Sequence, residues 1–514
     1  MASSAAMRRA DSQSPSAASR HTTLALFGLL FFSYSYFFGG SGFNQNATFD
    51  LTRAMVERRS IDIAPYASNT ADISRYEGKV LSNKPPGLSL LAAIPYTILQ
   101  LREGATGDAI SLTINLYLCT IFTSGIAGAL VGLLLFRTAR RRGVSARWAV
   151  STALLAGLGT PLFAYSTMLF VAVPTGLLIL GALLSISDLE QPSPAIAGAA
   201  LGLATTMNYL CAIVVVIVGA FLLVRSRRRF RDAVAFVAGG VPFLLLLLWY
   251  QKSAFGSPLS TSIDTQNPAF VTTGSWLGIL GAPSAEALWG ITFSPYRGLF
   301  FIAPILLLAI PGSIMMARQI ERRSELIAVL CVVAFFILVN ASFNGWHGGY
   351  AIGPRYLIPI IPILVIPMLY VTARFRLIWV VLAMISLFLN LAATAVDPQP
   401  PDSLRNPLIR YEIPALLYGG VDSADDEVPV WIRTLYRGHT STNRVAADEM
   451  LPFQKHRPGA PASEWASFNL GEPFTEPGSL FSLLPWGMVL MISLLAIYRS
   501  TAGDSESPSI DHQQ

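Results

Sequence analysis

From Thr22 onward the chain is a succession of long apolar runs separated by short polar or basic intervals. Crossing a bilayer takes about 20 apolar residues. Runs of that order predict twelve helices, near residues 22 to 40, 110 to 136, 148 to 162, 164 to 186, 195 to 208, 209 to 224, 232 to 250, 299 to 317, 326 to 341, 355 to 373, 376 to 396 and 479 to 498. Several early runs are short, which predicts broken or re-entrant helices among them. The apolar stretch Gly87 to Leu101 is also too short to span, and is expected to lie at the outer membrane surface as an interfacial or re-entrant helix.

The polar intervals set the orientation. Arginines cluster between Arg137 and Arg147, between Arg225 and Arg231, between Arg318 and Arg323, at Arg374 and Arg376, and in the N-terminal tail. Basic short loops stay in the cytoplasm, and twelve crossings place all of these there. The run starting near Thr22 is as long as a span and lacks a small-residue cleavage site, so it reads as a retained helix. This topology exports residues 41–109, 251–298 and 397–478, together with the short segment Ser342 to Gly353.

Composition agrees. Of 514 residues 53% are hydrophobic and 13% charged, more apolar surface than a water-soluble fold of this length can cover. The net charge of +6 comes from arginine clusters between apolar runs, which fits a membrane topology and no nucleic-acid partner. Cys119, Cys211 and Cys331 sit within apolar runs, so neither a disulfide framework nor a zinc site is encoded. The expected fold class is an all-α polytopic membrane protein. It divides into a cytoplasmic tail (1–21), a transmembrane core (22–396), an extracytoplasmic segment (397–478) and a last helix with a cytoplasmic tail (479–514).

Chemistry is expected in the exported segments. Asp50 falls just past the membrane boundary with Arg53 three residues on, a spacing that puts both on one helix face. Asn83-Lys84-Pro85-Pro86-Gly87 delivers a lysine at a rigid turn above the interfacial helix, in a chain that otherwise prefers arginine. A lipid-phosphate leaving group needs cations to hold its developing charge, and an acceptor hydroxyl needs a carboxylate base. The blander readings are an N-cap or surface ion pair for Asp50 and a snorkelling headgroup anchor for Lys84.

These segments resemble a known family. Asp50 to Arg53 is similar to the Asp-Glu-x-Arg of bacterial aminoarabinose transferases of lipid A and the Asp-Glu of protein O-mannosyltransferases. Asn83 to Pro86 is similar to the Lys-Pro-Pro motif that follows in those GT-C glycosyltransferases. Phe255-Gly256-Ser257-Pro258, Ser294 to Phe300, Trp346-His347-Gly348-Gly349, Gly353 to Leu357 and Asn469 to Glu472 look like segments of a bacterial branch. The departures are Leu51 where the family has a glutamate, Val171 and Ala172 where a histidine is expected, and no charge near Asn208.

The resemblance implies a GT-C-like fold and an inverting sugar transfer from a polyprenyl-phosphate carrier to a glycan, lipid or protein acceptor, at the outer face of the cytoplasmic membrane. Asp50 is then expected as base, Lys84, Arg53, Arg355 and Arg297 around the carrier phosphate, and His347, Trp346, Tyr350, Asn44 and Asp72 near sugar or acceptor. No cofactor is indicated; a divalent metal stays an open alternative, against which Leu51 stands where the family has a glutamate. Two rivals are a transporter of lipid-linked intermediates and an inactive, lipid-binding relative.

Overall fold

The computed structural model describes residues 17–187, 192–272, 275–276, 278–371, 375–418, 467–471 and 480–502. Helix forms within each of the twelve predicted stretches. In chain order the elements are α1 (Ala17–Tyr36), β1 (Phe37–Phe38), α2 (Phe43–Arg58), β2 (Ile73–Tyr76), β3 (Lys79–Ser82), α3 (Gly87–Thr106), α4 (Leu112–Thr120) and α5 (Ile126–Arg141). They continue with α6 (Ala146–Leu158), α7 (Leu162–Ser166), α8 (Ala172–Ser187), α9 (Pro194–Met207), α10 (Cys211–Arg225) and α11 (Arg229–Phe255). The remainder are α12 (Ala285–Thr292), α13 (Leu299–Ile302), α14 (Ala309–Arg318), α15 (Arg323–Ser342), α16 (Ile361–Met368), α17 (Arg376–Val396), α18 (Ile413–Tyr418), β4 (Phe468–Asn469) and α19 (Leu484–Ala502).

Among the described residues five helical stretches are long and apolar enough to cross a membrane: Leu112–Arg141, Arg229–Phe255, Ile320–Ser342, Arg376–Val396 and Leu480–Thr501. Five more apolar helices run 10–17 residues. The remaining predicted spans are shorter or less apolar helices, some of them interrupted. The break between α7 and α8, Thr167–Val171, divides one predicted span in two. Within Leu112–Arg141 the helix persists through a π-helical turn at Ile121–Gly125. Large apolar side chains face outward along these helices, among them Val216 (66% exposed), Leu245 (59%), Ile327 (61%) and Met491 (59%). Such belts would be unstable in water and identify an integral membrane protein.

The bundle packs in two main clusters. Val173 of α8, Leu201 of α9, Val214 of α10, Val332 of α15 and Ile361 of α16 share the larger. Leu30 of α1, Ala149 of α6 and Trp486 of α19 share the other. Close helix approach depends on small residues: a Cβ on Gly198 of α9 would lie 1.8 Å from the Phe236 carbonyl, and one on Gly239 of α11 2.0 Å from that of Ala195. Lipid offers no hydrophobic drive for helix association, so backbone-close contact is what holds such a pair.

Two small antiparallel sheets fix the connections. Phe37 of β1 pairs Asn469 of β4, which returns the late chain to the end of α1. Between β2 and β3 the turn is Glu77-Gly78, both at positive φ (47° and 78°), the conformation a two-residue hairpin requires. The predicted interfacial segment is α3, which starts against the end of α9, since a Cβ on Gly87 would strike Thr206 and Met207.

Candidate functional site

A cavity of about 520 Å³ opens at one end of the bundle. Six segments distant in sequence build its walls: the entry into α2, the open end of the β2–β3 hairpin, the end of α7 with the break after it, the connection between α11 and α12, the loop after α15, and the chain after α17. Among the expected residues, Asn44, Asp72, Lys84, His347, Tyr350 and Arg355 line it, while Asp50, Arg53, Arg297 and Trp346 are not among its lining residues.

Hairpin register explains the first group. With Ile73 opposite Ser82, the next positions outward are Asp72 and Asn83, and the Asn83 N–H donates to the Asp72 carbonyl at 3.1 Å. Lys84 follows directly, and its Nζ lies 2.9 Å from Asp72 Oδ2. Asn83 Nδ2 donates to Asp72 Oδ1 at 3.3 Å. Burial alone would raise the Asp72 carboxyl, but the charge and hydrogen bond of Lys84, with Arg355 and Asn83, hold it below its usual range.

Arg355 reaches the cavity from the 3-10 turn Arg355–Ile360. One Nη donates to the Tyr356 hydroxyl at 2.9 Å, whereas its Nε–H is buried and without a hydrogen-bond partner. Gly348, at φ +78°, allows this approach: a Cβ there would sit 2.9 Å from Arg355 Cγ. Two cations thus face one carboxylate, and an unsatisfied buried donor points to an anion as the missing partner.

His347 presents one defined tautomer. Its Nδ1 accepts the Gly349 N–H at 3.1 Å, so in the neutral ring the proton sits on Nε2. Burial lowers the imidazole, Asp402 opposes this, and Arg297, Arg355 and Arg405 reinforce it, leaving the ring neutral near pH 7.

The other expected residues lie outside the cavity lining. α2 carries Phe43, Asn44 and Gln45 into the cavity, and Asp50 lies five residues further along, about 7.5 Å up the helix axis, fully buried in the protein. It is therefore neither an N-cap nor a surface residue. Arg53 is drawn to Glu57, with Nε to Oε1 at 2.9 Å and its guanidinium 3.9 Å from the Tyr66 ring centre. Glu57 also accepts from Tyr66 at 2.7 Å and Tyr96 at 2.6 Å, so this cluster pins α2 to α3. Arg297, 1% exposed, donates to the carbonyls of Tyr296, His347, Gly349 and Pro401 at 2.9–3.5 Å, which commits its fork to backbone. Trp346 packs on α12, where a Cβ on Gly290 would meet its ring at 2.2 Å.

Other cavity residues were not anticipated. Gln399 donates to the carbonyls of Gly39 at 2.9 Å and Ser41 at 3.1 Å and accepts from Gln45 at 3.0 Å, tying the chain after α17 to the entry of α2. Asp402 lines the same wall. The polar run beginning at Asp397, directly after an apolar span, was the available signal. Tyr165, Met168 and Phe170 line the cavity from a segment that reads as uninterrupted span, so nothing local marked them. Among the described residues no three His, Cys, Asp or Glu side chains converge as a metal site. Trp431, Trp465, Glu472 and most of the extracytoplasmic segment 397–478 lie outside the described residues.

No protein-family model matches the chain, and no curated protein matches it. Among solved structures it is similar to apo ArnT from Cupriavidus metallidurans, with a TM-score of 0.45 and 16% identity, covering 93% of this chain and 76% of that one. It is likewise similar to ArnT from Cupriavidus metallidurans bound to undecaprenyl phosphate, with a TM-score of 0.45 and 16% identity over 94% of this chain and 77% of that one. The likeness is too loose to carry a function, and the cavity's own residues must do so.

Proposed function

We propose that the protein is a membrane glycosyltransferase that moves a sugar from a polyprenyl-phosphate carrier to an envelope acceptor, with inversion, at the outer face of the cytoplasmic membrane. The observation that carries this reading is the pairing of Lys84 with Arg355 in a cavity at the end of an apolar bundle, with a buried Arg355 Nε–H left unsatisfied. Lys84 supplies a movable point charge and Arg355 a planar fork, and together they suit a phosphate whose negative charge grows as the sugar leaves. In this reading Asp72 holds Lys84 in place until the carrier phosphate arrives.

An apolar groove of about 480 Å³ supports a lipid-borne donor. It is lined by Leu91, Ile94 and Ile98 of α3, Phe122 of the π-helical turn and Leu178 of α8. Because α3 begins three residues after Lys84, a headgroup at Lys84 and an isoprenoid chain against α3 suit one molecule. The arginine-bearing turns gather at the far end of α15 from the cavity, where Arg142, Arg225 and Arg322 approach Glu321 and Glu325, which supports an outward-facing site. Twelve crossings belong to the same proposal.

The test uses membranes overproducing the protein, incubated with a panel of polyprenyl-phosphate sugars and followed by mass spectrometry of donor consumed and glycan formed. One donor should be consumed by the wild type and spared by Lys84→Ala, with the variant folded. Unchanged turnover in Lys84→Ala sinks the phosphate role.

A further inference from the structure

Among the described residues two carboxylates reach the cavity, and they differ in what already holds them. Asp72 is engaged by Lys84 at 2.9 Å and Asn83 at 3.3 Å. The half-buried Asp402 makes no side-chain hydrogen bond or ion pair with a described residue, yet its position is tightly controlled. The Tyr296 hydroxyl donates to the Asp402 carbonyl at 2.6 Å, and Arg297 reaches the preceding Pro401 carbonyl at 3.5 Å. The same two residues hold the other cavity loop. Tyr296 stacks on the His347 ring at 6.2 Å, and Arg297 donates to the His347 carbonyl at 3.2 Å and to that of Gly349 at 2.9 Å. Tyr296-Arg297 is thus a clamp that sets Asp402 and His347 in fixed relation on one wall.

His347 itself cannot accept the acceptor's proton in this arrangement. Its one ring lone pair, on Nδ1, is taken by the Gly349 N–H, and Nε2 can only donate. Asp50 is buried away from the cavity, and Asp72 is neutralised by Lys84. That leaves, among the described residues, a single cavity carboxylate with free acceptor capacity.

We propose that Asp402 is the general base of the transfer and that the Nε2–H of His347 orients the acceptor hydroxyl beside it. This rests on the transferase reading above and names the residue that reading leaves open. In the step, an Asp402 oxygen takes the hydroxyl proton, and the acceptor oxygen bonds to the anomeric carbon from the face opposite the phosphate. The bond from that carbon to the phosphate oxygen breaks, its electron pair stays on the phosphate, and Lys84 and Arg355 hold the added charge. Polyprenyl phosphate and the new glycoside are the products, and no further reactant is needed. Tyr296 and Arg297 are positioning residues.

Full-length Asp402→Asn in lipid nanodiscs should bind undecaprenyl phosphate within about twofold of wild type while transfer falls about 10²-fold or more. Azide, a nucleophile that needs no deprotonation, should restore donor consumption as glycosyl azide in Asp402→Asn and not in Lys84→Ala. Transfer by Asp402→Asn within about threefold of wild type overturns the assignment. So does joint loss of undecaprenyl phosphate binding and of azide rescue, which marks a structural role. Should Asp402→Asn not yield monodisperse protein, Asp402→Glu decides: a fall in kcat with unchanged donor KM supports the base, and unchanged kcat overturns it. Failure of the transferase reading looks different, because the wild type then consumes no donor in the panel, with or without azide.

Discussion

The two ends of α15 place similar residues in opposite states. At its N-terminal end Glu325, 1% exposed, is paired with Arg142 and lies 3.3 Å from Arg322, while Arg142 also donates to the Tyr370 hydroxyl at 3.2 Å. Around thirty ångströms away along the helix, the chain leaving its C-terminal end enters the cavity, where Lys84, Asp72 and Arg355 form a comparable set. At the first end the acid is closed in by its cations; at the second, Lys84 and Asp72 remain 18% and 13% exposed to the cavity and Arg355 keeps an unused donor. Residue type is thus a poor guide to role. Saturation of the hydrogen-bonding groups separates a structural tie from a binding site.

The comparison breaks most visibly at the saturated end. Glu325→Ala leaves two arginines without their acid and should cost about 3–5 kcal/mol, read as a loss of monodisperse protein and a large fall in melting temperature in detergent. Lys84→Ala and Arg355→Ala should do the reverse. Melting behaviour stays close to wild type while undecaprenyl phosphate binding, measured by a fluorescence or scintillation assay, weakens by about 10- to 100-fold, the range of one charged hydrogen bond. Equal thermal losses at both ends would erase the distinction.

A smaller effect sharpens it within the cavity wall. Asp397, at the start of the segment that carries Gln399 and Asp402, has its carboxyl raised by burial to about 6, against the bonds from the Gln399 N–H and Tyr411. Because the folded value lies above the unfolded one, its contribution to stability is full below the unfolded pKa and is lost as pH rises through about 6. The wild type should therefore melt lower at pH 7.5 than at pH 5. Asp397→Asn should flatten that slope by on the order of 1–2 kcal/mol, and an unchanged slope removes Asp397 as its source. The smallest expected change in activity belongs to Asp50→Asn: transfer per folded molecule should stay within about threefold of wild type, because Asp50 is not a lining residue of the cavity. Abolished transfer with intact undecaprenyl phosphate binding would return the base to α2.

Apolar run length by itself determined that this is a helical membrane protein and where its helices lie, because burying apolar side chains in lipid is a property of composition and spacing that needs no partner. The Lys-Pro-Pro turn singled out Lys84, but it took the folded hairpin, with Glu77 and Gly78 at positive φ, to fix the register that sets Asp72 opposite Asn83. Tertiary structure alone decided which charged residues face open space. Arg53 and Arg297 stand in motifs as promising as that of Arg355, yet Glu57 and four backbone carbonyls occupy them. Asp402 shows no sequence spacing to His347, and lines the same cavity with it where Tyr296 and Arg297 bind both loops. Hydrogen-bond satisfaction depends on groups hundreds of residues apart, and so it is settled only when the chain has folded.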